Sequence, residues 1–319
     1  MVNPAEVDAV VLVGGMGTRL RPLTLSAPKP MLPTAGLPFL THLLSRIADA
    51  GIEHVVLGTS YKAGVFESEF GDGSKLGLQI DYVVEDEPLG TGGAIANVSE
   101  KLRHDTALVF NGDVLSGADL RSLLDSHGNS GADVTLHLVR VGDPRAYGCV
   151  PTDSDGVVTA FLEKTQDPPS DQINAGCYVF KREVIERIPK GRALSVEREV
   201  FPGLLSDGLR VCGYVDSTYW RDMGTPDDFV RGSADLVRGI APSPITPSRI
   251  SARGPMRAPK PMIERSITAP APTCTPSKIT APSSRAPAPI SAPRPTTVPP
   301  ISSAPGATAA PSCTSFSPR

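Results

Sequence analysis

The residues best suited to chemistry stand near the start of the chain, directly after its first apolar run. Three glycines, Gly14, Gly15 and Gly17, fall within four positions and are followed by Arg19. Glycines let backbone N–H groups approach a phosphate closely, and an arginine fork binds phosphate oxygens. The segment lacks the Gly-Lys-Ser/Thr of a Walker loop, and Leu20 stands where a dinucleotide fingerprint needs its third glycine. It therefore favours phosphate binding of another kind.

Further short motifs follow this turn along the chain. Lys29 lies between Pro28 and Pro30, which fix its backbone. The later motifs are Asn111-Gly112-Asp113, Glu163-Lys164, Asn174-Ala175-Gly176 and Trp220-Arg221-Asp222-Met223-Gly224. From Val7 to Gly239, the glycine turn and these motifs follow one another as in the sugar-nucleotide pyrophosphorylase family, which the sequence resembles, most closely in its mannose-1-phosphate guanylyltransferases.

The resemblance implies a nucleotidyl transfer. In the family, the phosphate of a hexose 1-phosphate attacks a nucleoside triphosphate and pyrophosphate leaves. That phosphate is already an anion at neutral pH, so catalysis needs alignment and charge neutralisation rather than a general base. By resemblance, Arg19 and Lys29 hold the triphosphate and Lys164 holds the sugar phosphate. These three are the predicted catalytic residues.

Two aspartates are the predicted metal ligands. Asp113 follows the predicted strand 106–111, and Asp222 is placed after a further strand for which no bounds are predicted. Ligands of open α/β sheets bind beyond the carboxyl ends of the strands. Either residue by itself is more often a helix cap or a turn former. Their common position at strand ends favours one shared hard cation, Mg²⁺, which takes oxygen ligands.

The base and the sugar are predicted from two further sets of residues. Guanine offers two adjacent hydrogen-bond donors, and the Glu85 carboxylate could accept from both. Family members that read thymine or uracil resemble one another in using an amide side chain at this position. The stretch 85–93 also resembles that of mannose-1-phosphate guanylyltransferases, which implies GTP and mannose 1-phosphate as substrates, with a glucose-1-phosphate thymidylyl- or uridylyltransferase as the alternative. By resemblance, Gly148, Glu163 and Asn174 line the sugar pocket. The predicted nucleotide-binding residues are Gly14, Gly15, Gly17, Thr18, Glu85, Gly90 and Thr91.

The hydrophobic pattern predicts an α/β fold, a mostly parallel Rossmann-like open sheet with helices on both faces. A mixed sugar-binding extension follows residue 132. The predicted strands are 7–13, 54–59, 79–85, 106–111, 134–141, 157–164 and 173–180, and the predicted helices are 38–50, 63–70, 91–102, 195–205 and 226–237.

The composition changes near residue 241. Nineteen of the 33 prolines lie in residues 241–319, where nine Lys or Arg face the single acid Glu264. We therefore predict a catalytic domain over residues 1–240 and a disordered Pro/Ser/Ala/Thr-rich tail over 241–319. Ile-Thr/Ser-Ala-Pro motifs recur in this tail at intervals of 12, 11 and 11 residues, close to two hexapeptides. Our hypothesis is that the tail is the family's hexapeptide repeat region translated in a wrong frame, and a genuine flexible linker is the alternative.

Other functional classes are weighed from charge and composition. The first 240 residues carry a net charge near −11, which argues against a nucleic-acid partner. No apolar run is long enough for a membrane span, so a cytoplasmic location is expected. In the family, hexapeptide repeats after the catalytic domain form a left-handed β-helix that assembles the oligomer. The resemblance therefore implies an oligomer, but residues 241–319 lack the character of those repeats, which weighs against one. A non-catalytic regulatory paralogue would have lost the charged site residues, and a proline-rich interaction protein would act through the tail alone.

Overall fold

The computed structural model describes residues 1–60, 62–162 and 165–243, all of which lie in the first of two compact units, Met1–Lys260. The strands are β1 (Val7–Leu12), β2 (Pro33–Thr34), β3 (Leu37–Pro38), β4 (His54–Thr59), β5 (Gln79–Val84), β6 (Thr106–Asn111), β7 (Val114–Ser116), β8 (Val134–Arg140), β9 (Gln172–Lys181), β10 (Val211–Asp216) and β11 (Trp220–Asp222). The helices are α1 (Phe39–Asp49), α2 (Ala63–Phe70), α3 (Gly90–Asn97), α4 (Leu120–Ser130), α5 (Arg182–Arg187), α6 (Phe201–Ser206) and α7 (Pro226–Val237).

Seven strands form the main sheet in the order β10-β8-β9-β6-β1-β4-β5. The pairs β6-β1, β1-β4, β4-β5 and β10-β8 are parallel, and within this sheet only β9 runs against its neighbours. Strands β1 and β4 are apolar and buried along almost their whole length, as strands covered on both faces must be. The predicted mostly parallel open sheet is confirmed.

Side chains alternate between two cores, one on each face of the sheet. Val10 of β1 packs with α3, α5 and α6, whereas its neighbours Ala9 and Val11 pack with α1, α2 and α4. This alternation follows from the period of two in a strand. The predicted helices on both faces are therefore confirmed, and the carboxyl ends of β1 and β6 remain open for a site.

Two small sheets lie outside the main one. Strands β7 and β11 pair antiparallel, with Asp222 opposite Val114, and β2 pairs with β3. The β7-β11 ribbon begins two residues after β6 ends, and so it extends the edge of the sheet where ligands of such folds bind.

One predicted strand of the second half was wrong, and one predicted helix is confirmed with a π-helical first turn. The described part of the predicted strand 157–164, residues 157–162, forms isolated bridges rather than a strand, since Val157 bridges Cys212 and Val158 bridges Thr152. Pro151 has no N–H to extend a ladder, and Asp153 closes a tight turn by accepting from two backbone amides. The predicted helix 195–205 begins as a π-helical turn, Val196–Val200, before α6. Helices α4 and α5 and strand β10 were not predicted.

Two expectations are left open. In the described part of the chain, no helix combines the length and the apolar character needed to cross a bilayer. The cytoplasmic location stays a prediction. The predicted tail, apart from its first three residues, lies outside the described residues, as do Glu163 and Lys164.

Candidate active site

Two cavities meet at the carboxyl end of β6. The first has a volume of about 430 Å³ and is lined by the glycine turn after β1 and by the loop after β5. The second, of about 490 Å³, is lined by β9, by the loop around Gly148 and by β11. Arg19, Asn111 and Asp113 line both cavities. Two ligands bound side by side would therefore meet at these three residues.

The glycine turn folds back onto the segment that carries Lys29. Gly17 has a φ of +59°, and a Cβ there would lie 2.9 Å from Thr24 Cγ2 and 3.2 Å from Lys29 Cβ. The Thr24 hydroxyl donates to the Gly17 carbonyl at 2.8 Å, which fixes the return of the chain. A Cβ at Gly15 would meet nothing within 4 Å, so its backbone is open to the cavity. Glycine is thus required for packing at Gly17 and leaves room for a ligand at Gly15.

Lys29 brings the two predicted metal ligands together. Its buried Nζ donates to Asp113 Oδ2 at 2.8 Å and lies 3.7 Å from Asp222 Oδ1. Asp113 lies in the turn between β6 and β7, and its carbonyl accepts from the Met223 N–H at 3.0 Å. The position predicted for Asp222 needs one correction, because it ends a strand of the β7-β11 ribbon rather than one of the main sheet. The ribbon pairing holds both carboxylates beside one ammonium.

The cluster places two carboxylates, Asp113 and Asp222, beside two cations, Lys29 and Arg19. Burial raises the pKa of Asp222, and the neighbouring Asp113 raises it further, while Lys29 and Arg19 oppose the shift. A Cβ at Gly224 would lie 2.7 Å from Asp222 Oδ2 and 3.1 Å from the Arg19 guanidinium, so glycine lets these groups approach. Among the described residues, no group of three or more His, Cys, Asp or Glu could hold a metal ion. A cation here would complete its ligands from a substrate or solvent.

Glu85 lies at the far end of the first cavity. Its N–H donates to the Thr59 carbonyl at 2.8 Å, which continues the pairing of β5 with β4 by one residue. The side chain is 9% exposed and accepts from the Leu89 N–H at 3.3 Å. Burial raises the pKa of Glu85, and that hydrogen bond partly offsets the effect. The carboxylate is thus a buried acceptor in the cavity wall.

Gly90 and Thr91 line the first cavity, but both also have packing roles that the sequence did not reveal. Gly90 has a φ of +66°, and a Cβ there would lie 2.6 Å from the Leu194 carbonyl. The Thr91 hydroxyl donates to Glu197 Oε2 at 3.1 Å and accepts from the Val196 N–H at 2.9 Å. The loop after β5 is therefore attached to residues 194–197.

The second cavity contains both predicted sugar-binding residues that the structure describes. Gly148 has a φ of +84°. The side chain of Asn174 is held at both ends, since Oδ1 accepts from the Gly176 N–H at 3.0 Å and Nδ2 donates to the Tyr178 hydroxyl at 2.8 Å. Leu162, directly before Glu163 and Lys164, lines the same cavity.

Sequence reasoning missed several residues of the second cavity. Tyr147 and Trp220 form an edge-to-face aromatic pair with centroids 5.4 Å apart, and Trp220 Nε1 donates to the Ala175 carbonyl at 3.0 Å. Trp220 is the one tryptophan in the chain and Tyr147 precedes a predicted site residue, so both carried a signal. Nothing in the sequence indicated the three cavity-lining residues Ser195, Glu197 and Arg198.

Comparison with known sequences gives the family. The profile of the nucleotidyl transferase family matches residues 8–239. A mannose-1-phosphate guanylyltransferase of Mycobacterium tuberculosis is 80% identical over 240 residues, 75% of this chain and 67% of that protein. The catalytic subunit beta of a Drosophila melanogaster mannose-1-phosphate guanylyltransferase is 40% identical over 237 residues, 72% of this chain and 63% of that protein. The chain thus matches about two thirds of the length of these relatives.

Solved structures support the same assignment. HddC from Yersinia pseudotuberculosis, crystallised with GMP-PN, is 30% identical with a TM-score of 0.63, over 72% of this chain and 99% of HddC. A Bacillus anthracis protein solved with sucrose has a TM-score of 0.65 over 72% of this chain and 94% of that protein; at 24% identity it supports the fold alone. The chain belongs to the nucleotidyl transferase family and, within it, is a sugar-1-phosphate nucleotidyltransferase that resembles the mannose-1-phosphate guanylyltransferases.

Proposed function

We propose that the protein transfers GMP from GTP to mannose 1-phosphate and so forms GDP-mannose and pyrophosphate. The observation that carries this proposal is the contact of Lys29 Nζ with both Asp113 and Asp222 where the two cavities meet. A triphosphate in the first cavity and a hexose phosphate in the second would meet at this cluster. The 80% identity to a mannose-1-phosphate guanylyltransferase supports the choice of both substrates.

The chain's own charges suit the reaction. An anionic oxygen of the hexose phosphate attacks the α-phosphorus of GTP, a new P–O bond forms, and the bond to the β-phosphate breaks as pyrophosphate leaves. Arg19, which lines both cavities, and Lys29 would neutralise and align the phosphates, as phosphoryl-group chemistry requires. Lys164 on the sugar phosphate and Glu163 on sugar hydroxyls stay predictions, because both lie outside the described residues.

The aspartate pair fits a divalent cation. Asp113 and Asp222 offer oxygen ligands within reach of one ammonium, and proteins often bind Mg²⁺ through one or two carboxylates together with substrate phosphates. Burial, and after it the neighbouring Asp113, raise the pKa of Asp222, and a bound cation would favour its ionised form. When bound, Mg²⁺ would neutralise charge on the triphosphate.

The base and the sugar would be recognised by residues of different cavities. The buried Glu85 carboxylate, in the wall of the first cavity, would accept hydrogen bonds from the two adjacent N–H donors of guanine. The GMP-PN bound to HddC is consistent with a guanine nucleotide. Gly148 and Asn174 in the second cavity would contact the hexose.

The test is substrate choice. Pyrophosphate release by the full-length chain is measured with Mg²⁺ for GTP, dTTP and UTP, each paired with mannose 1-phosphate or glucose 1-phosphate. We expect the highest kcat/KM for GTP with mannose 1-phosphate and a GDP-mannose product on chromatography. Faster reaction of glucose 1-phosphate with dTTP or UTP would instead establish the thymidylyl- or uridylyltransferase alternative.

A further inference from the structure

Residues 192–200, here termed the bridging segment, contact the walls of both cavities. The Gly92 N–H donates to the Leu194 carbonyl at 2.8 Å, and the Leu194 N–H donates to the Leu89 carbonyl at 2.9 Å. The Val196 N–H donates to the Thr91 hydroxyl at 2.9 Å. Through these bonds the bridging segment is joined to the loop that lines the nucleotide side.

The other side of the bridging segment lines the second cavity, through Ser195, Glu197 and Arg198. Glu197 is half-buried, and its Oε2 accepts from the Thr91 hydroxyl at 3.1 Å and the Ser195 hydroxyl at 2.9 Å. Among the described residues, its Oε1 receives no hydrogen bond. One oxygen of this carboxylate is thus committed to the protein, and the other is available in a cavity of about 490 Å³.

We propose that Glu197 is a specificity-determining residue, whose Oε1 accepts a hydrogen bond from a hydroxyl of the hexose while Oε2 keeps the carboxylate fixed to Thr91. This inference rests on the proposed function and adds a residue to its sugar site. Hexose hydroxyls are donors, and a carboxylate is a strong acceptor for them because the hydrogen bond is charge-assisted.

Charge fixes the orientation of the hexose. A carboxylate repels a phosphate, so Glu197 must face the hydroxyl end of the substrate. The phosphate end then lies toward the guanidinium of Arg19, which lines both cavities where they meet. On the hydroxyl side, the charge of Glu197 is, after burial, the next cause of the raised pKa of Tyr178, whose hydroxyl accepts from Asn174. Glu197 and Asn174 therefore act on the same region of the cavity.

The test compares three variants with the wild type. Glu197→Gln keeps the shape and removes the charge, whereas Thr91→Val removes the hydroxyl that fixes Oε2 but leaves Glu197 in place. Glu199→Gln is the matched control, because Glu199 is exposed on the same segment and lines neither cavity. The Gln amide oxygen can still accept from the Ser195 N–H, as Glu199 Oε2 does at 2.8 Å. KM is measured for GTP and for mannose 1-phosphate, together with the monodeoxy mannose 1-phosphates, and circular dichroism checks folding.

We expect Glu197→Gln to raise the KM for mannose 1-phosphate about 10-fold, the effect of one charge-assisted hydrogen bond, with the KM for GTP changed less than about 2-fold. With the wild type, one monodeoxy mannose 1-phosphate should have a KM raised by about the same factor. Glu197→Gln should raise the KM for that monodeoxy sugar no further. Thr91→Val should raise the KM for GTP more than Glu197→Gln does, and Glu199→Gln should match the wild type.

Equal effects of Glu197→Gln and Thr91→Val on both substrates would overturn the proposal, because Glu197 would then serve only to hold Thr91. An unchanged sugar KM in Glu197→Gln would also overturn it, while wild-type activity with mannose 1-phosphate would leave the proposed function standing. If the wild type uses a different hexose 1-phosphate, the proposed function fails and the same comparison is made with that sugar. A wild type that uses no hexose 1-phosphate overturns both.

Discussion

The nucleotide cavity and the hexose cavity share one sheet edge but are built in different ways. The nucleotide cavity is lined mainly by two continuous stretches of chain, residues 12–30 and 85–94. The hexose cavity is lined by Arg19 and by residues from six separated stretches between Asn111 and Asp222, which come together only in the folded chain. A cavity formed by continuous loops leaves a motif in the sequence, whereas one assembled from distant segments leaves single residues.

The difference also appears in how each cavity is held rigid. The nucleotide side uses glycines that permit close backbone packing, at Gly17 against Lys29 and at Gly90 against Leu194. The hexose side uses side-chain bonds, such as those of Asn174 to Tyr178 and of Trp220 to the Ala175 carbonyl. We therefore expect substitutions on the nucleotide side to act through the backbone and those on the hexose side to act through one substrate.

The largest effect should come from the cluster that both cavities share. Replacing Asp222 or Asp113 by Asn removes half of the charge that would bind the cation, while the backbone bond from Met223 to Asp113 remains. We expect kcat to fall at least about 100-fold with folding intact, because loss of a metal ligand removes several kcal/mol of transition-state stabilisation. Pyrophosphate release at saturating substrates measures it, with the exposed Asp155→Asn as control. Near-normal turnover would end the assignment of the metal site.

This contrast explains how much could be predicted from the sequence. The glycine turn, Lys29 and Glu85 were predicted because each lies directly after a predicted strand or within a continuous motif, and all line the nucleotide cavity. Strands β1, β4, β5 and β6 were predicted within one residue. Strands β1, β4 and β6 are buried and rich in apolar residues, whereas the edge strand β5 mixes apolar and polar residues.

Glu197 could not be found in the same way. It stands in a charged stretch, Val196–Val200, whose π-helical turn has no simple apolar period, and its importance depends on Thr91, 106 positions earlier in the chain. The packing role of Gly90 was missed for the same reason, because its reason for being glycine is the carbonyl of Leu194. Such long-range partners are set by topology, which local patterns do not contain.

The next largest effect tests the backbone packing of the nucleotide side. Gly90→Ala introduces a Cβ 2.6 Å from the Leu194 carbonyl oxygen at a residue with positive φ. Gly131→Ala is the matched control, because its φ is also positive but its Cβ would have no atom within 4 Å. We expect Gly90→Ala to lower the free energy of unfolding by about 1–3 kcal/mol more than Gly131→Ala, the usual cost of overpacking. Urea titration measures both. Equal losses would show that the bridging segment moves aside freely.

A smaller effect should separate base recognition from catalysis. Glu85→Gln replaces a carboxylate, whose two oxygens can accept from both guanine donors, by an amide with one acceptor oxygen. The ratio of kcat/KM for GTP over dTTP should therefore fall about 10-fold. The raised pKa of Glu85 adds a pH test, because a buried carboxyl takes up its proton at a higher pH than an exposed one. GTP affinity of the wild type should therefore weaken more steeply as the pH falls through that raised pKa than the affinity of Glu85→Gln, which keeps only the contribution of groups common to both proteins, such as Asp222. An unchanged nucleotide preference would place base recognition elsewhere.

The smallest effect should be confined to the hexose cavity. Tyr147→Ala removes one ring of the aromatic pair with Trp220, and such pairs contribute about 0.5–1.5 kcal/mol, so the KM for mannose 1-phosphate should rise about 2- to 10-fold. The KM for GTP should stay constant, because Tyr147 lines only the second cavity. Tyr147→Phe keeps the ring and should behave as the wild type if packing is what matters. A parallel rise in the KM for GTP would mean that the two cavities are coupled through more than their shared residues, and the contrast between them would then fail.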